Sequence, residues 1–311
     1  MSSDLIQAIR AQSKLSISQA ISLIENQWDS GSKLLSSLFK YTGHAYRIGI
    51  TGPPGAGKST LTDNLIYSFR KEDKTVAVLA IDPTSPFSGG AVLGDRIRMT
   101  THHSDPHVFI RSMATRGSRG GLAVRAEEVG EIFDAAQFDV IIYETVGVGQ
   151  IELDIIQAAD SVIVILVPES GDEVQMMKAG LMEIGNIFAI NKADRPGAKK
   201  LMITLQNLLS TLTYNDDTWK PEVIHTIATE QKGTDKLIKC ISAHQSFNKN
   251  QGIQKQKFDD RYQRRVNALI NSEFQQQFWN EEKTELLQSQ LQIDQKDRMS
   301  SYVLARKLLE L

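Results

Sequence analysis

Short apolar runs alternate with amphipathic stretches along the middle of the chain, and this alternation predicts the fold. The apolar runs read as buried strands: YRIGI, VAVLAI, HVFIRS, DVIIYE, SVIVILV, IFAINK and EVIHTIA. Helical stretches such as STLTDNLIYSF and AVRAEEVGEIFDAA lie between them. Strands that alternate with helices form a mostly parallel sheet covered by helices on both faces. We therefore expect an α/β protein of this kind.

The two ends of the chain lack strand-like runs and are predicted to be helical extensions. Near the start, AISLIENQ places its apolar residues on roughly one helical face. The last part is rich in Gln, Lys and Glu and reads as one or two long amphipathic helices. We predict an N-terminal extension over residues 1–40, a nucleotide-binding domain over 41–247 and a C-terminal helical segment over 248–311.

Composition narrows the class of protein. The 311 residues are 41% hydrophobic, which suits a chain with a substantial core, and the formal net charge of -2 argues against a nucleic-acid partner. The longest apolar run, Val162 to Val167, is too short to cross a bilayer. The N-terminal MSSDLIQAIR lacks a signal-peptide core, and the lone cysteine, Cys240, fits a reducing compartment. We expect a cytoplasmic protein with neither a membrane nor a nucleic-acid partner.

The segment after the first predicted strand matches the phosphate-binding pattern G-x-x-x-x-G-K-[ST] and precedes a predicted helix. Its glycines allow backbone N–H groups to turn toward phosphate oxygens, and the helix N-terminus favours negative charge. Lys58 is predicted to neutralise the β and γ phosphates and to serve catalysis, and Ser59 to offer its hydroxyl to Mg²⁺. The predicted nucleotide-binding residues of this loop are Gly52, Pro53, Pro54, Gly55, Ala56, Gly57, Lys58 and Ser59.

The segment NKAD, Asn191 to Asp194, follows a later predicted strand and predicts guanine as the base. The carboxylate of Asp194 can accept hydrogen bonds from N1–H and the 2-amino group of guanine, and adenine has no such paired donors. Asn191 can donate to N7 of the base, and the stem of Lys192 can lie over the ring. After the last predicted strand, the backbone N–H of Ala228 is a candidate for contact with the guanine oxygen. We therefore expect GTP or GDP rather than ATP.

Acidic residues near the phosphate loop indicate a Mg²⁺ site. Asp82 and Glu144 end two predicted strands, and ligands of an open parallel sheet lie beyond the carboxyl ends of its strands. Asp95 lies on a connection that is expected to fold over this edge. Because Mg²⁺ takes oxygen ligands, we predict Ser59, Asp82, Asp95 and Glu144 at the metal. The alternative for each acid is a solvated loop residue or a helix cap.

Five segments occur here in combination: GITGPPGAGKSTLTDNL, IDPTSPFSGGAVLGDRIRM, IRSMATRGSRGGLA, DVIIYETVGVGQIELDI and NKAD. Together they resemble the MeaB/ArgK family, the GTPase chaperones of adenosylcobalamin-dependent acyl-CoA mutases. The resemblance implies a P-loop NTPase fold with helical extensions at both ends and a homodimer formed through the C-terminal helices. It also implies GTP hydrolysis coupled to cofactor loading and protection of methylmalonyl-CoA mutase or a relative.

The resemblance also assigns residues. It extends the phosphate loop to Thr60, and it places the metal and switch acids and the base-reading motif on the residues already named. Lys178 matches a mobile family segment, where it either contacts the nucleotide site or partner or is a solvated lysine. Where the family carries a Ser-Ala pair near the base, this chain has Ile227 and Ala228, which leaves a backbone contact there.

The stretch ETVGVGQ takes the place where many GTPases carry D-x-x-G. Gly147 would let its backbone N–H approach the γ-phosphate. Val148 follows where Ras-like GTPases have the glutamine that orients the attacking water, and Gln150 lies two residues too late for that role. We therefore predict slow intrinsic hydrolysis, with the water positioned by Asp82 or after a partner binds.

Three other functions fit the sequence less well. A metallochaperone-type GTPase for another metal is the main alternative, but soft or imidazole ligands are few and HHSDPH reads as a surface turn. A protein-targeting GTPase that binds RNA does not suit the net charge of -2. A small-molecule kinase needs a second pocket and a base for its acceptor, and the sequence indicates neither.

Overall fold

A computed structural model of the protein describes residues 3–26, 28–82, 102, 104–114, 121–145, 147, 158–168, 181–215 and 217–311. The chain divides into two compact units, Met1–Lys257 and Phe258–Leu311. The first unit contains the sheet, and the second unit is helical.

Within the described residues, seven strands form one sheet in the order β3-β2-β4-β1-β5-β6-β7, and every pairing is parallel. The strands are β1 (Tyr46–Thr51), β2 (Val76–Asp82), β3 (Val108–Ala114), β4 (Val140–Glu144), β5 (Ser161–Leu166), β6 (Ile187–Ile190) and β7 (Glu222–His225). Each strand coincides with one of the apolar runs, so the predicted parallel α/β fold is confirmed.

Helices surround the sheet, and two of them coincide with the predicted stretches STLTDNLIYSF and AVRAEEVGEIFDAA. The helices described in the first unit are α1 (Ser3–Arg10), α2 (Lys14–Asn26), α3 (Trp28–Leu38), α4 (Lys58–Lys71), α5 (Gly121–Ala135), α6 (Leu181–Ile184), α7 (Ala198–Ser210) and α8 (Thr234–Asn250). Short 3₁₀ turns cover Phe39–Tyr41 and Ala228–Glu230.

Both faces of the sheet are covered by apolar side chains. On one face, Leu79 of β2 belongs to the same buried cluster as Phe133 of α5 and Ile21 of α2. On the other face, Ile142 of β4 shares a cluster with Leu65 of α4. Each fully buried side chain of this kind stabilises the fold by about 1.5–3 kcal/mol. The N-terminal helices are thus part of the core of the first unit.

A buried ion pair fixes the start of β1, the strand that leads into the phosphate loop. Asp134 of α5 accepts backbone N–H bonds from Gly43 at 2.9 Å, His44 at 2.9 Å and Ala45 at 3.0 Å. The same carboxylate lies 3.2 Å from the guanidinium of Arg47. Because the carboxylate satisfies these donors together, the segment before β1 has one defined path across α5.

A second buried polar cluster lies where β1 and β5 begin. Tyr46, Ser161 and His244 contact one another through two hydroxyl groups and Nδ1 of the imidazole. Burial lowers the pKa of His244 to about 3, and the positive charge of Lys257 acts in the same direction. The imidazole is therefore neutral in the folded protein at ordinary pH.

This neutral imidazole predicts a loss of stability on mild acidification. In the unfolded chain the pKa of His244 returns to 6.5, against about 3 in the fold, so only the unfolded state gains a proton between these values. The contribution of His244 to the free energy of unfolding is complete above about pH 6.5. Below that value it falls by about 1.4 kcal/mol per pH unit. Urea unfolding between about pH 5 and 7 measures the slope. His244→Gln should flatten it, and an equal slope in that variant would contradict this assignment.

The second unit is built from three helices among its described residues: α9 (Ile253–Phe278), which begins in the first unit, α10 (Glu281–Leu291) and α11 (Ser301–Glu310). Side-chain caps divide them. Asn280 accepts the backbone N–H of Lys283 at 2.9 Å, and Ser300 accepts that of Val303 at 3.4 Å. Among the helices described, none combines the length and hydrophobicity that crossing a bilayer requires.

Candidate nucleotide site

The phosphate loop joins β1 to α4, and its shape depends on glycine. Gly52 has a φ of 150°, and a Cβ there would lie 2.2 Å from the carbonyl oxygen of Ile165 on the neighbouring strand. Gly57 has a φ of 89°, and its Cβ would lie 2.3 Å from Nδ2 of Asn191. Both positions therefore exclude side chains, so that the loop can approach β5 and the segment after β6 closely.

Lys58 and Ser59 begin α4 and are both buried. The ammonium group of Lys58 turns back across the loop and donates to the carbonyl oxygens of Gly52 at 2.9 Å and Pro53 at 3.0 Å. This position puts a positive charge inside the loop, where a bound phosphate needs it.

Ser59 meets the acid at the end of β4. Its hydroxyl donates to Oε1 of Glu144 at 2.6 Å, and the Glu144 residue is 4% exposed. A hydroxyl and a carboxylate this close at the edge of the phosphate loop are the oxygen donors that Mg²⁺ prefers, so the pair fits this ion.

The other predicted metal ligands are only partly described. Asp82 ends β2, which pairs with β4 so that Ala80 lies beside Glu144. Its backbone therefore extends two residues past the level of Glu144, at the same end of the sheet. Asp95 lies outside the described residues, as do Val148, Gln150 and Lys178.

Two threonines that the sequence reasoning did not identify hold the glycine after Glu144. The hydroxyls of Thr51 and Thr145 donate to the carbonyl oxygen of Gly147 at 2.9 Å and 3.1 Å. The backbone N–H of Thr145 also donates to the carbonyl of Ile50 at 3.0 Å. The only sequence signal is that each threonine ends or follows a strand beside a glycine motif.

Asn191 connects the phosphate loop with the segment after β7. Its Nδ2 donates to the carbonyl oxygen of Ala56 at 2.8 Å. Its Oδ1 accepts the backbone N–H of Ala228 at 3.0 Å and the hydroxyl of Thr226 at 3.2 Å. The amide thus bonds to protein on both sides, so the contacts of Asn191 with N7 and of Ala228 with the guanine oxygen stay predictions.

The remaining base-side residues lie on two neighbouring turns. Lys192 has a φ of 55°, in the left-handed region that few side chains adopt. On the facing turn, the hydrogen bond and charge of Glu230 raise the pKa of Lys232, and the nearby charge of Asp194 raises it further. Asp194 is an exposed carboxylate that lies near the ammonium group of Lys232.

A cavity of about 380 Å³ runs between the phosphate loop and these turns. The predicted residues that line it are Pro54, Gly55, Gly57, Lys58, Ser59, Thr60, Glu144, Asn191, Lys192, Asp194 and Ala228. Gly52, Pro53, Ala56 and Gly147 do not line it, but their carbonyl oxygens accept hydrogen bonds from lining residues. One crevice thus brings together the predicted phosphate-binding lysine, the predicted metal pair of Ser59 and Glu144, and the predicted base-reading carboxylate of Asp194.

Comparison of the sequence with known protein families identifies the class of protein to which this chain belongs. The sequence model of the family described as "Methylmalonyl Co-A mutase-associated GTPase MeaB" matches residues 17–283. The chain belongs to the MeaB family of GTPases. Its sheet and phosphate loop are accordingly those of a P-loop GTPase, and its activity is the hydrolysis of GTP.

Individual relatives agree with the family match. A protein of Pyrococcus abyssi named as a GTPase is 46% identical over 273 residues, 87% of this chain and 84% of that protein. GTPase ArgK of Escherichia coli is 35% identical over 243 residues, 76% of this chain and 73% of that protein. The crystal structure of an LAO/AO transport system kinase superposes with a TM-score of 0.75 at 26% identity, covering 99% of this chain and 96% of that one.

Proposed function

We propose that this MeaB-family GTPase is a Mg²⁺-dependent chaperone of an adenosylcobalamin-dependent acyl-CoA mutase, methylmalonyl-CoA mutase or a relative. It couples GTP hydrolysis to loading of the cofactor and protection of the mutase. The observation that carries the mutase partner is the family match, whose description names methylmalonyl-CoA mutase over residues 17–283. The crevice between the phosphate loop and the base-side turns supports the nucleotide chemistry.

Some residues of the crevice bind the nucleotide, and others act in catalysis. Lys58 and the backbone N–H groups of the loop hold the phosphates and offset the charge that develops on the γ-phosphoryl oxygens. Asp194 reads the N1–H and 2-amino groups of guanine. Asp82 is the candidate for orienting the attacking water, since Val148 has no polar group for that task.

Ser59 and Glu144 hold the metal ion in this proposal. Mg²⁺ held there would supply positive charge that offsets the negative charge of the phosphate oxygens. The 2.6 Å hydrogen bond between Ser59 and Glu144 supports this role because both oxygens are already turned toward each other. Glu144 also fixes the hydroxyl of Ser59 at the start of α4, beside the phosphates.

Glu144→Gln tests the metal site. The amide keeps the size of the side chain but removes its charge, so the Mg²⁺ concentration for half-maximal GTP hydrolysis should rise by about 10- to 100-fold. GDP binding in the presence of EDTA should change little. Glu25→Gln is the matched control, because Glu25 pairs with Arg111 at 2.7 Å and does not line the crevice. Equal Mg²⁺ dependence in the two variants would remove Glu144 from the metal site.

Binding tests the mutase partner directly. The purified chain, immobilised with GDP, with a non-hydrolysable GTP analogue or without nucleotide, should retain the mutase of its own organism in at least one state. An acyl-CoA enzyme without cobalamin serves as the control and should be washed away. Absence of mutase in all three states would overturn the chaperone role and leave the GTPase activity untouched.

The C-terminal helices support a homodimer. Along α9, all of which is described, no residue is buried, and Leu269, Ile270 and Phe274 are 40%, 59% and 62% exposed. Their spacing puts them on one face, and a solvent-facing apolar stripe of this kind suits a partner helix. Light scattering should give about twice the 34.6 kDa mass of the chain, and a monomer at micromolar concentration would exclude the dimer.

The alternative, a GTPase that inserts another metal, has less support. Thiolates are among the ligands that such metals prefer, and the lone Cys240 is buried in an environment that raises the pKa of its thiol to about 12. The same unpaired thiol suits the cytoplasm, which we propose as the location.

A further inference from the structure

We propose that Asn64 is a positioning residue for guanine recognition, acting through the backbone of Ala228. Its side-chain amide holds the turn of residues 226–232, here named the base loop, so that the N–H of Ala228 faces O6 of guanine. The inference rests on the proposed binding of GTP in the crevice. It assigns a role in guanine recognition to a residue of α4, the helix that follows the phosphate loop.

Asn64 lies in the second turn of α4, the helix that Lys58 begins. It is 5% exposed, and its Nδ2 donates to the carbonyl oxygen of Ala228 at 2.7 Å, across 164 residues of sequence. A buried amide that reaches a backbone carbonyl at this distance is a well-formed hydrogen bond. The helix that carries the phosphate-binding lysine is therefore tied directly to the base loop.

The base loop is closed upon itself, and hydrogen bonds from its residues join it to neighbouring elements. Ile227 and Lys232 exchange backbone hydrogen bonds at 3.0 Å and 3.2 Å, which closes the turn. The N–H of Thr226 donates to the carbonyl of Ile190 at 2.9 Å, which joins the start of the loop to β6. Beyond that point, the bond from Asn64 links the turn to α4.

The two peptide groups on either side of the Ala228 Cα are held from opposite directions. Asn191 accepts the N–H of Ala228 at 3.0 Å, and Asn64 donates to its carbonyl oxygen at 2.7 Å. An N–H can be shared between two acceptors, so the same group can serve Asn191 and guanine O6 together. Without Asn64, the carbonyl of Ala228 keeps the N–H of Gln231 at 3.3 Å, within the same turn, but the base loop loses its bond to α4. The turn can then shift, which moves the N–H of Ala228 in the preceding peptide group away from the base.

The chemistry of guanine supplies a selective test. In 6-thio-GDP a sulfur, which is a weak acceptor, replaces O6, whereas N1–H and the 2-amino group remain. IDP keeps O6 and lacks only the 2-amino group. If Asn64 positions the O6 contact, Asn64→Ala should bind GDP and IDP about tenfold more weakly. Its affinity for 6-thio-GDP should change by less than about twofold, because the sulfur makes only a weak hydrogen bond with the N–H of Ala228 even in the wild type.

Asn248→Ala is the matched control. Asn248 is also a buried asparagine on a helix, and its Nδ2 donates to the carbonyl of Asp160 at 3.2 Å, away from the crevice. Its loss should lower the melting temperature without changing the preference for GDP over 6-thio-GDP. If Asn64→Ala is too unstable to purify, Asn64→Ser replaces it in the same measurements. Serine is too short to reach the carbonyl of Ala228 but keeps a polar side chain.

The outcomes separate this inference from the proposed function. A wild-type preference for GDP over 6-thio-GDP that falls about tenfold in Asn64→Ala supports the positioning role. Parallel losses for both nucleotides, or no loss for either, overturn it and leave guanine binding in place. A wild-type protein that does not distinguish GDP from ADP contradicts the proposed base site itself.

Discussion

Lys58→Ala is expected to lower the rate of GTP hydrolysis by about 10²- to 10³-fold. The ammonium group already lies inside the phosphate loop, 2.9 Å from the carbonyl oxygen of Gly52 and 3.0 Å from that of Pro53. When GTP binds, the ammonium group is expected to leave these carbonyl oxygens and contact phosphate oxygens instead. Its positive charge then lies where negative charge accumulates in the transition state. Single-turnover hydrolysis of GTP at saturating enzyme measures the effect on the chemical step.

The control for this variant is Lys74→Ala, at the turn that follows the same helix. Lys74 pairs with Glu72 at 2.8 Å and does not line the crevice, so its loss removes the same charge from the chain but not from the loop. Its hydrolysis rate should stay within about twofold of the wild type, because surface ion pairs contribute little. Equal rates in the two lysine variants would mean that Lys58 does not act on the phosphates.

Asp194→Asn is expected to reverse the preference for guanine. The carboxylate accepts from two donors of guanine, whereas the asparagine amide offers N–H groups toward the 2-amino group and loses one good acceptor. A site built for a specific hydrogen bond rejects a mismatched group strongly, so GDP should bind about 10²-fold more weakly or worse. Xanthosine diphosphate, which carries an oxygen in place of the 2-amino group, should bind better than to the wild type.

Equilibrium titration of GDP and xanthosine diphosphate measures this exchange. Asp217→Asn is a suitable control, since Asp217 is an exposed acid that does not line the crevice. If Asp194→Asn retained the wild-type ratio of the two affinities, Asp194 would not read the base, and the assignment of the NKAD segment would be wrong.

The sequence predicted the sheet well because its signals are local. Each strand is a continuous apolar run, and the glycines and lysine of the phosphate loop are contiguous between β1 and α4. The connections that shape the crevice are not local. Asn191 reaches Ala56 across 135 residues, and Asn64 reaches Ala228 across 164. Neither contact has a periodicity or spacing that could reveal it in advance.

The helices at the two ends of the chain could also be predicted only in part from the sequence. The amphipathic pattern of the last part of the chain predicted helices, but it did not indicate that Asn280 and Ser300 would divide them by capping new helix starts. At the other end, the N-terminal helices join the core of the sheet through residues such as Ile17 and Ile24. Their apolar face was readable in the sequence, but the surface that it packs against was not.

We propose that a partner mutase controls the timing of GTP hydrolysis by this GTPase. The most direct test compares the single-turnover rate of the purified chain alone with its rate in the presence of saturating mutase from the same organism. We predict slow hydrolysis alone, since Val148 cannot orient water, and a rise of about tenfold or more with the mutase. Equal rates with and without the mutase, under conditions where the two proteins form a complex, would contradict the claim.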